Sequence, residues 1–210
     1  MLLLQPTTND VYLGATHWEG WRRGWRAVRE VPDGLQHVSP RDAVAAIQSA
    51  DPHRGLPIGI IGPKVADKGL LAIAEHLGAE VAAMKVALFC GGKSGVMEAA
   101  CKGAKSCGGL TIGLLPDDDW APANPYVDVP LASGIGPARN AIIARACPVL
   151  IAVGGEYGTL SEMAFGLHFG RAVISLGGAP EVKGARIVET VDEAIDLAAT
   201  FYLGISETYC

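Results

Sequence analysis

The chain has 210 residues, a length that fits one compact domain with a small addition and a core that needs no disulfide or metal. Half of the residues are apolar and 19% are charged, which excludes a disordered or fibrous protein. The formal net charge of −5 argues against partners held mainly through phosphate backbones or anionic lipids. We therefore expect no nucleic-acid partner and no membrane association.

The first 55 residues differ in pattern from the rest of the chain. They contain a short strand at Val11–Leu13 and a capping box, Ser39-Pro40-Arg41-Asp42, that begins an Ala-rich helix. Residues 52–55 read as a linker. We predict an N-terminal appendage over residues 1–55, packed on a main domain over residues 56–210. A similar strand and capped helix are predicted around residues 187–195, with shared capping chemistry alone as the alternative.

Three tryptophans lie in the appendage. Trp18, Trp21 and Trp25 fall at positions i, i+3 and i+7, a spacing that lets them share one helix face. Packing against the core or against a neighbouring subunit is the favoured interpretation. A stacking platform for single-stranded nucleic acid would use the same residue types, but the acidity of the chain argues against it.

From residue 56 onward, short apolar runs alternate with helical patterns, which is typical of βαβ units and a parallel sheet. The predicted strands are Ile58–Ile61, Val86–Phe89, Thr111–Leu115, Val149–Val153 and Ala172–Leu176. The predicted helices span residues 67–82, 95–107, 136–146 and 159–169. The fold class that follows is α/β, a Rossmann-like three-layer sandwich with a parallel sheet.

Glycine is overrepresented, with 27 residues or about twice the ordinary usage, and much of the excess lies at strand ends. One cluster, Gly91-Gly92-Lys93-Ser94-Gly95, follows the strand that ends at Phe89. It matches neither the P-loop nor the dinucleotide-binding pattern. Lys93 can supply a counter-charge to phosphate, with a solvated lysine on a turn as the alternative.

A second cluster, Gly154-Gly155-Glu156-Tyr157-Gly158-Thr159, joins the strand Val149–Val153 to a helix. Glycines let backbone N–H groups approach an anion, and the helix N-terminus adds its positive dipole end. Because ligands of such sheets sit outside the carboxyl ends of the strands, both loops are expected to face one crevice. The alternative is a tight turn without a ligand.

The combined motifs resemble those of the Lonely guy (LOG) and Rossmann-like nucleotide-binding superfamily over about residues 57–176. The motifs are Gly91-Gly92-x-x-Gly95-x-Met97-Glu98-Ala99, Ala138-Arg139-Asn140 and Gly154-Gly155-x-x-Gly158-Thr159-x-x-Glu162. Members of the superfamily include phosphoribohydrolases of cytokinin riboside 5′-monophosphate and molybdenum-cofactor carrier proteins. The Ala-Arg-Asn and Val-Gly-Gly forms present here are closer to the carrier-like branch.

The resemblance implies a catalytic pair, Arg139 and Glu162, that cleaves the N-glycosidic bond of a nucleoside 5′-monophosphate. A carboxylate such as Glu162 can stabilise an oxocarbenium-like state, and a salt bridge or helix cap is the alternative role for the pair. We expect hydrolysis without a cofactor, slightly ahead of a non-enzymatic carrier or sensor with molybdenum cofactor as cargo. The predicted ligand-binding residues are Gly91, Gly92, Lys93, Ser94, Gly95, Met97, Glu98, Asn140, Gly154, Gly155, Tyr157, Gly158 and Thr159.

The remaining features bear on metals, location and assembly. The five cysteines are odd in number and include no C-x-x-C pair, which favours a reducing cytoplasm over a disulfide framework or a zinc site. The turn Asp117-Asp118-Asp119 can hold a hard cation, but an exposed acidic turn is commoner, so we predict no metal. The resemblance also implies a homo-oligomer, either a dimer or a tetramer.

Overall fold

The computed structural model describes residues 1–205, so Cys210 and the end of the predicted main domain lie outside the described residues. The first part of the chain forms an antiparallel sheet in the order β4-β3-β2-β1-β5. Its strands are β1 (Leu2–Gln5), β2 (Asp10–Leu13), β3 (Thr16–Glu19), β4 (Gly24–Ala27) and β5 (Gln36–His37), and helix α1 (Pro40–Ser49) follows. The predicted strand at Val11–Leu13 is therefore one of five.

The prediction of a tryptophan helix is wrong. Trp18 on β3 and Trp25 on β4 are direct cross-strand partners, and their rings meet edge to face at 5.2 Å. The chain reverses between them, with Arg23 in a left-handed conformation at φ 54. Trp21 lies in this turn and is 52% exposed. The two tryptophans share a face because they oppose each other across a hairpin. Their separation of seven residues is also the spacing of one helix face.

The rest of the chain forms a parallel sheet of seven strands in the order β12-β11-β10-β6-β7-β8-β9. The strands are β6 (Ile58–Ile61), β7 (Leu88–Cys90), β8 (Thr111–Leu115), β9 (Val129–Ala132), β10 (Val149–Val153), β11 (Ala172–Leu176) and β12 (Arg186–Ile187). Four predicted strands have the observed bounds, whereas the one predicted at Val86–Phe89 begins later and ends at Cys90. The predicted α/β, Rossmann-like fold class is confirmed.

Helices cover both faces of this sheet and complete three layers. They are α2 (Lys68–Ala83), α3 (Val96–Ser106), α4 (Asn140–Ala146), α5 (Tyr157–His168) and α6 (Val191–Tyr202), and a 3₁₀ turn at Gly136–Arg139 precedes α4. One apolar cluster joins α2, α3 and α6 to one face of the strands. A second cluster joins α4 and α5 to the other face.

The N-terminal sheet contacts the main sheet through α6 and the residues that follow it. The Trp25 Nε1 group donates a hydrogen bond of 2.9 Å to the Leu203 carbonyl. The Arg23 guanidinium lies 4.3 Å from the centre of the Tyr202 ring and also donates to the Tyr202 carbonyl. These contacts join the two regions, while the boundary at residue 55 as a division between domains stays a prediction.

Two edge strands lead into two capped helices, as the similarity around residues 187–195 suggests, but they belong to different sheets. Strand β5 leads into α1, and β12 leads into α6. The capping box is complete only at Thr190 and Glu193. At Ser39 the side chain accepts from the Asp42 N–H, but its hydroxyl donates to the Asp42 carboxylate. Arg41 on α1 pairs with Asp192 on α6 at 3.1 Å and so joins the two units.

Helices α2 and α3 approach each other backbone to backbone. A Cβ atom at Gly103 of α3 would overlap the Glu75 carbonyl of α2, and one at Gly78 of α2 would overlap the Ala100 carbonyl of α3. Glycine at these two positions therefore sets how closely α3 packs. The N-terminus of α3 in turn carries Met97 to the carboxyl edge of the sheet.

We expect Gly103→Ala to lower the free energy of unfolding by about 2 kcal/mol or more, because the helices must separate to admit the methyl group. Chemical denaturation would measure the loss. Gly69→Ala, in the first turn of α2, is the matched control, since its Cβ meets only the Asp67 carboxylate at 3.2 Å. Equal stability of the two variants would contradict the role given to the glycine contact.

Candidate ligand-binding site

A cavity of about 490 Å³ opens at the carboxyl ends of β6, β7 and β10. The chain leaves β6 toward β7, β8 and β9, then crosses back to β10 on the other side of β6. This reversal of strand order is where open α/β sheets bind their ligands. The volume lies within the range of small-molecule sites.

The turn between β10 and α5 depends on its glycines. Gly155 has φ +124, and a Cβ there would overlap the Thr159 side chain. Gly154 has φ +55, and a Cβ there would lie 2.9 Å from Leu70. Helix α5 begins at Tyr157 without a side-chain cap. Its first N–H groups have no helical acceptor, and Gly158 and Thr159 line the cavity, so the positive end of the helix dipole adjoins it.

Arg139 and Glu162 form a buried ion pair in the cavity wall. The Arg139 Nη1 and Glu162 Oε1 atoms are 3.2 Å apart, and both side chains are 8% exposed. Arg139 ends the 3₁₀ turn before α4, and Glu162 lies on α5 four residues after Gly158. The Arg139 Nε group is buried and has no hydrogen-bond partner among residues 1–205. The described residues therefore leave part of the hydrogen-bonding capacity of the guanidinium unused.

Neighbouring residues hold the arginine in this position. Arg139 also donates to the Asn140 side-chain oxygen. The Asn140 amide nitrogen donates to Ser161 Oγ at 2.8 Å, which fixes this amide against α5. Gly91 lies against the guanidinium, because a Cβ there would overlap Arg139 Nη2 and come within 2.9 Å of Met97 Sδ. The first glycine after β7 thus makes room for the arginine.

Burial raises the pKa of Glu162 from its usual 4.5 to about 7, although Arg139 opposes the shift through its charge and hydrogen bond. Removing the carboxylate from water costs more than one arginine returns. The Glu162 carboxyl therefore gains or loses its proton near neutral pH. An anion placed against Arg139 would favour the protonated carboxyl further, because like charges repel.

Several residues of the loop from Gly91 to Glu98 are bonded within the protein. Ser94 Oγ donates to the Lys64 carbonyl at 3.1 Å, and the Val96 N–H donates to the Pro63 carbonyl at 3.1 Å. The first N–H group of α3 is thus bonded to the chain that follows β6. Lys93 Nζ is bound to the Asp117 carboxylate at 2.9 Å, which neutralises the charge predicted to meet phosphate.

The structure brings seven of the predicted site residues together in the cavity wall. They are Gly91, Met97, Arg139, Asn140, Gly158, Thr159 and Glu162. Eight others do not line the cavity: Gly92, Lys93, Ser94, Gly95, Glu98, Gly154, Gly155 and Tyr157. Of these, Gly155, Ser94 and Gly95 contact residues of the cavity wall. The ligand-binding role of all fifteen stays a prediction.

Sequence reasoning missed the residues that follow β6. Residues 62–65, Gly-Pro-Lys-Val, form one wall of the cavity, and Lys64 brings a positive charge to it. Glu156 also lines the cavity, on its exposed side. The signal was available, because Ile58–Ile61 is the first strand of the βαβ series and such strands end beside the switch point.

The acidic turn and the cysteines have structural partners. Asp117 binds Lys93, and the Asp119 carboxylate accepts from the Ala121 N–H at 2.7 Å. The Cys90 and Cys101 sulfurs lie 3.5 Å apart in the core as free thiols. Within residues 1–205 no three His, Cys, Asp or Glu side chains converge on a point that would hold a metal ion. In the same part of the chain no helix has the length and apolarity to cross a membrane.

We expect the free energy of unfolding to fall as pH rises from about 4.5 to about 7, at up to about 1.4 kcal/mol per pH unit. The reason is that folded Glu162 retains its proton in this range while the unfolded carboxyl has lost it. Glu162→Gln should remove this slope. Exposed Glu156→Gln, in the same cavity, should keep it. Denaturation of the three proteins across pH in phosphate-free buffer would measure the effect, and parallel curves would contradict the assignment.

Comparison with known proteins gives the family. Residues 55–200 match the SLOG cluster4 family. An uncharacterized protein from Archaeoglobus fulgidus is 41% identical over 141 residues, which cover 67% of this chain and 93% of that protein.

Solved structures with the same fold carry molybdenum-cofactor names. The molybdenum cofactor binding protein from Rippkaea orientalis has 34% identity and a TM-score of 0.65, covering 69% of this chain and 95% of its own. The Moco carrier protein from Chlamydomonas reinhardtii has 35% identity and a TM-score of 0.66, covering 72% and 100%. The resemblance to the LOG superfamily is thereby confirmed, and this chain belongs to the SLOG cluster4 family.

Proposed function

We propose that the protein binds a phosphorylated small molecule in the cavity at β6 and β10 and carries it without turnover. The observation that carries this proposal is the Arg139 guanidinium, buried in the cavity wall with its Nε group unpartnered among residues 1–205. A buried donor without an acceptor costs free energy, and an anionic ligand would supply the missing acceptor.

The phosphate would lie at the N-terminus of α5. The fixed donors there are the Thr159 hydroxyl and the N–H groups at Gly158 and Thr159, which have no helical acceptor, and the helix dipole adds partial positive charge. Arg139 would add a charge-assisted hydrogen bond from the side. When Glu162 takes up a proton, the arginine loses its counter-charge and the phosphate replaces it. Binding would therefore be coupled to proton uptake.

Part of the remaining cavity wall is apolar. Ile61, Val65 and Met97 line it, and Pro116 and Pro137 add two rigid rings. Such walls suit a flat heterocycle attached to the phosphate, either a base or a pterin. Molybdenum cofactor is the cargo that the names of the relatives from Rippkaea orientalis and Chlamydomonas reinhardtii suggest. For this chain it is the proposed cargo.

Hydrolysis of a nucleoside 5′-monophosphate is the second candidate, although the sequence alone favoured it slightly. It is supported by the carboxylate of Glu162, which stands in the same cavity as the phosphate site. Against it, the buried carboxyl has a pKa of about 7 and is bound to Arg139. At neutral pH only a fraction of the molecules therefore has the ionised carboxylate that would stabilise an oxocarbenium-like state. The carrier therefore ranks first.

We expect inorganic phosphate, AMP or molybdenum cofactor to raise the melting temperature by about 5 °C or more at a hundredfold excess over Kd. Gly158→Val should abolish the rise, because a Cβ there meets no protein atom within 4 Å and would fill the space beside the helix N-terminus. Gly69→Val at the matching second position of α2 is the control. Identical ligand responses in both variants would move the site elsewhere.

We expect the wild-type protein to release no free base or ribose 5-phosphate from a panel of nucleoside monophosphates that it binds. Product analysis on wild type and Glu162→Gln would measure this. A hydrolase would behave differently, with turnover lowered about 10²-fold or more in the variant and affinity little changed, since Gln keeps the shape without the charge. That outcome would put hydrolysis first.

A further inference from the structure

We propose that Lys64 is a ligand-binding residue that makes the cavity selective for dianionic phosphate esters. The inference deepens the proposed function and rests on it. Four charged side chains line the cavity: Lys64, Arg139, Glu156 and Glu162. With Glu162 protonated, Arg139 and Lys64 together leave a net positive charge against Glu156. Without Lys64 the charges would cancel, while a phosphate monoester carries about −1.5 to −2 near neutral pH.

The backbone of Lys64 is fixed in place. Its carbonyl accepts the hydrogen bond from Ser94 Oγ at 3.1 Å, and the preceding carbonyl of Pro63 accepts from the Val96 N–H. Gly95 fits so closely that a Cβ there would overlap the Lys64 backbone. The glycine loop after β7 therefore acts as the support of the loop after β6. The lysine side chain starts from a defined point on the rim of the cavity.

The side chain of Lys64 remains available to a ligand. It is exposed and forms no ion pair or hydrogen bond with any residue in the range 1–205. Asp117, the carboxylate whose charge it feels, already accepts from Lys93. The pKa of Asp117 is lowered first by that hydrogen bond, and Lys64 adds only a smaller Coulombic effect. Lys93 is therefore neutralised by an ion pair outside the cavity wall, whereas Lys64 lies in the wall without such a pair among residues 1–205.

Two different positive groups face the ligand in the proposed site. Helix α5 presents backbone N–H groups that have a fixed position and only partial charge. Lys64 presents a full charge on a flexible stem that can follow a phosphate oxygen. Ligands without a phosphate, such as nucleosides, would gain nothing from the lysine.

The test compares Lys64→Gln with Lys68→Gln, which removes the same charge four residues later from the exposed start of α2, outside the cavity wall. Lys64→Arg keeps the positive charge at this position. Calorimetry with AMP, inorganic phosphate and adenosine would be run at two salt concentrations, and the melting temperature of each variant would confirm folding. We expect Lys64→Gln to weaken AMP binding about 10-fold or more, since charge-assisted hydrogen bonds are the strong ones. The salt dependence should fall with it.

Lys68→Gln should change AMP affinity less than about twofold, and Lys64→Arg should retain most of the wild-type affinity for AMP. Equal weakening by the two glutamine variants would overturn the inference, because it would show a general charge effect. Equal loss of AMP and adenosine binding in Lys64→Gln would overturn it too, since packing would then be the cause. Wild-type protein that binds none of the three probes would instead overturn the proposed function, and this inference with it.

Discussion

The buried pair of Arg139 and Glu162 is costly, and the structure around it compensates for that cost. Two charges taken out of water lose more solvation than one contact of 3.2 Å regains unless further hydrogen bonds are added. Asn140 supplies one of these bonds, and Gly91 gives the guanidinium space. The raised pKa of Glu162 shows that the compensation is incomplete. A buried pair with a perturbed pKa in a cavity is the feature that supports the proposed binding function.

The position of the pair follows from the sheet. Arg139 ends the 3₁₀ turn before α4, and Glu162 lies on the second turn of α5. These helices pack on the same face of the sheet and enclose β10 between them and the opposite layer. The tight turn at Gly155 starts α5 directly after the strand, so the helix N-terminus and the carboxylate arrive at the cavity together. The proposed phosphate position and the placement of Glu162 therefore both depend on one turn.

The sequence predicted the features that local chemistry controls. Strands such as Ile58–Ile61 and Val149–Val153 are buried apolar runs followed by glycine, and their bounds are as predicted. Arg139 and Glu162 were found through the resemblance to a family, and the fold brings them together. The tryptophan hairpin was missed because cross-strand pairing across a short turn gives the same spacing as a helix. The ion pair of Lys93 was not predicted, because its partner, Asp117, lies 24 residues away.

The residues that a pattern search misses are the ones that act through another loop. Nothing in Gly62-Pro63-Lys64-Val65 resembles a binding motif, yet this segment forms a wall of the cavity. The glycines at 92 and 95 look like a phosphate loop because such loops and close backbone packing need the same residue. Here their neighbours Ser94 and Val96 bind the carbonyls of Lys64 and Pro63. The first N–H group of α3 is therefore bonded within the protein. Helix α5 begins without a side-chain cap, and its residues Gly158 and Thr159 line the cavity, so the phosphate of the proposed ligand would lie on the β10 side.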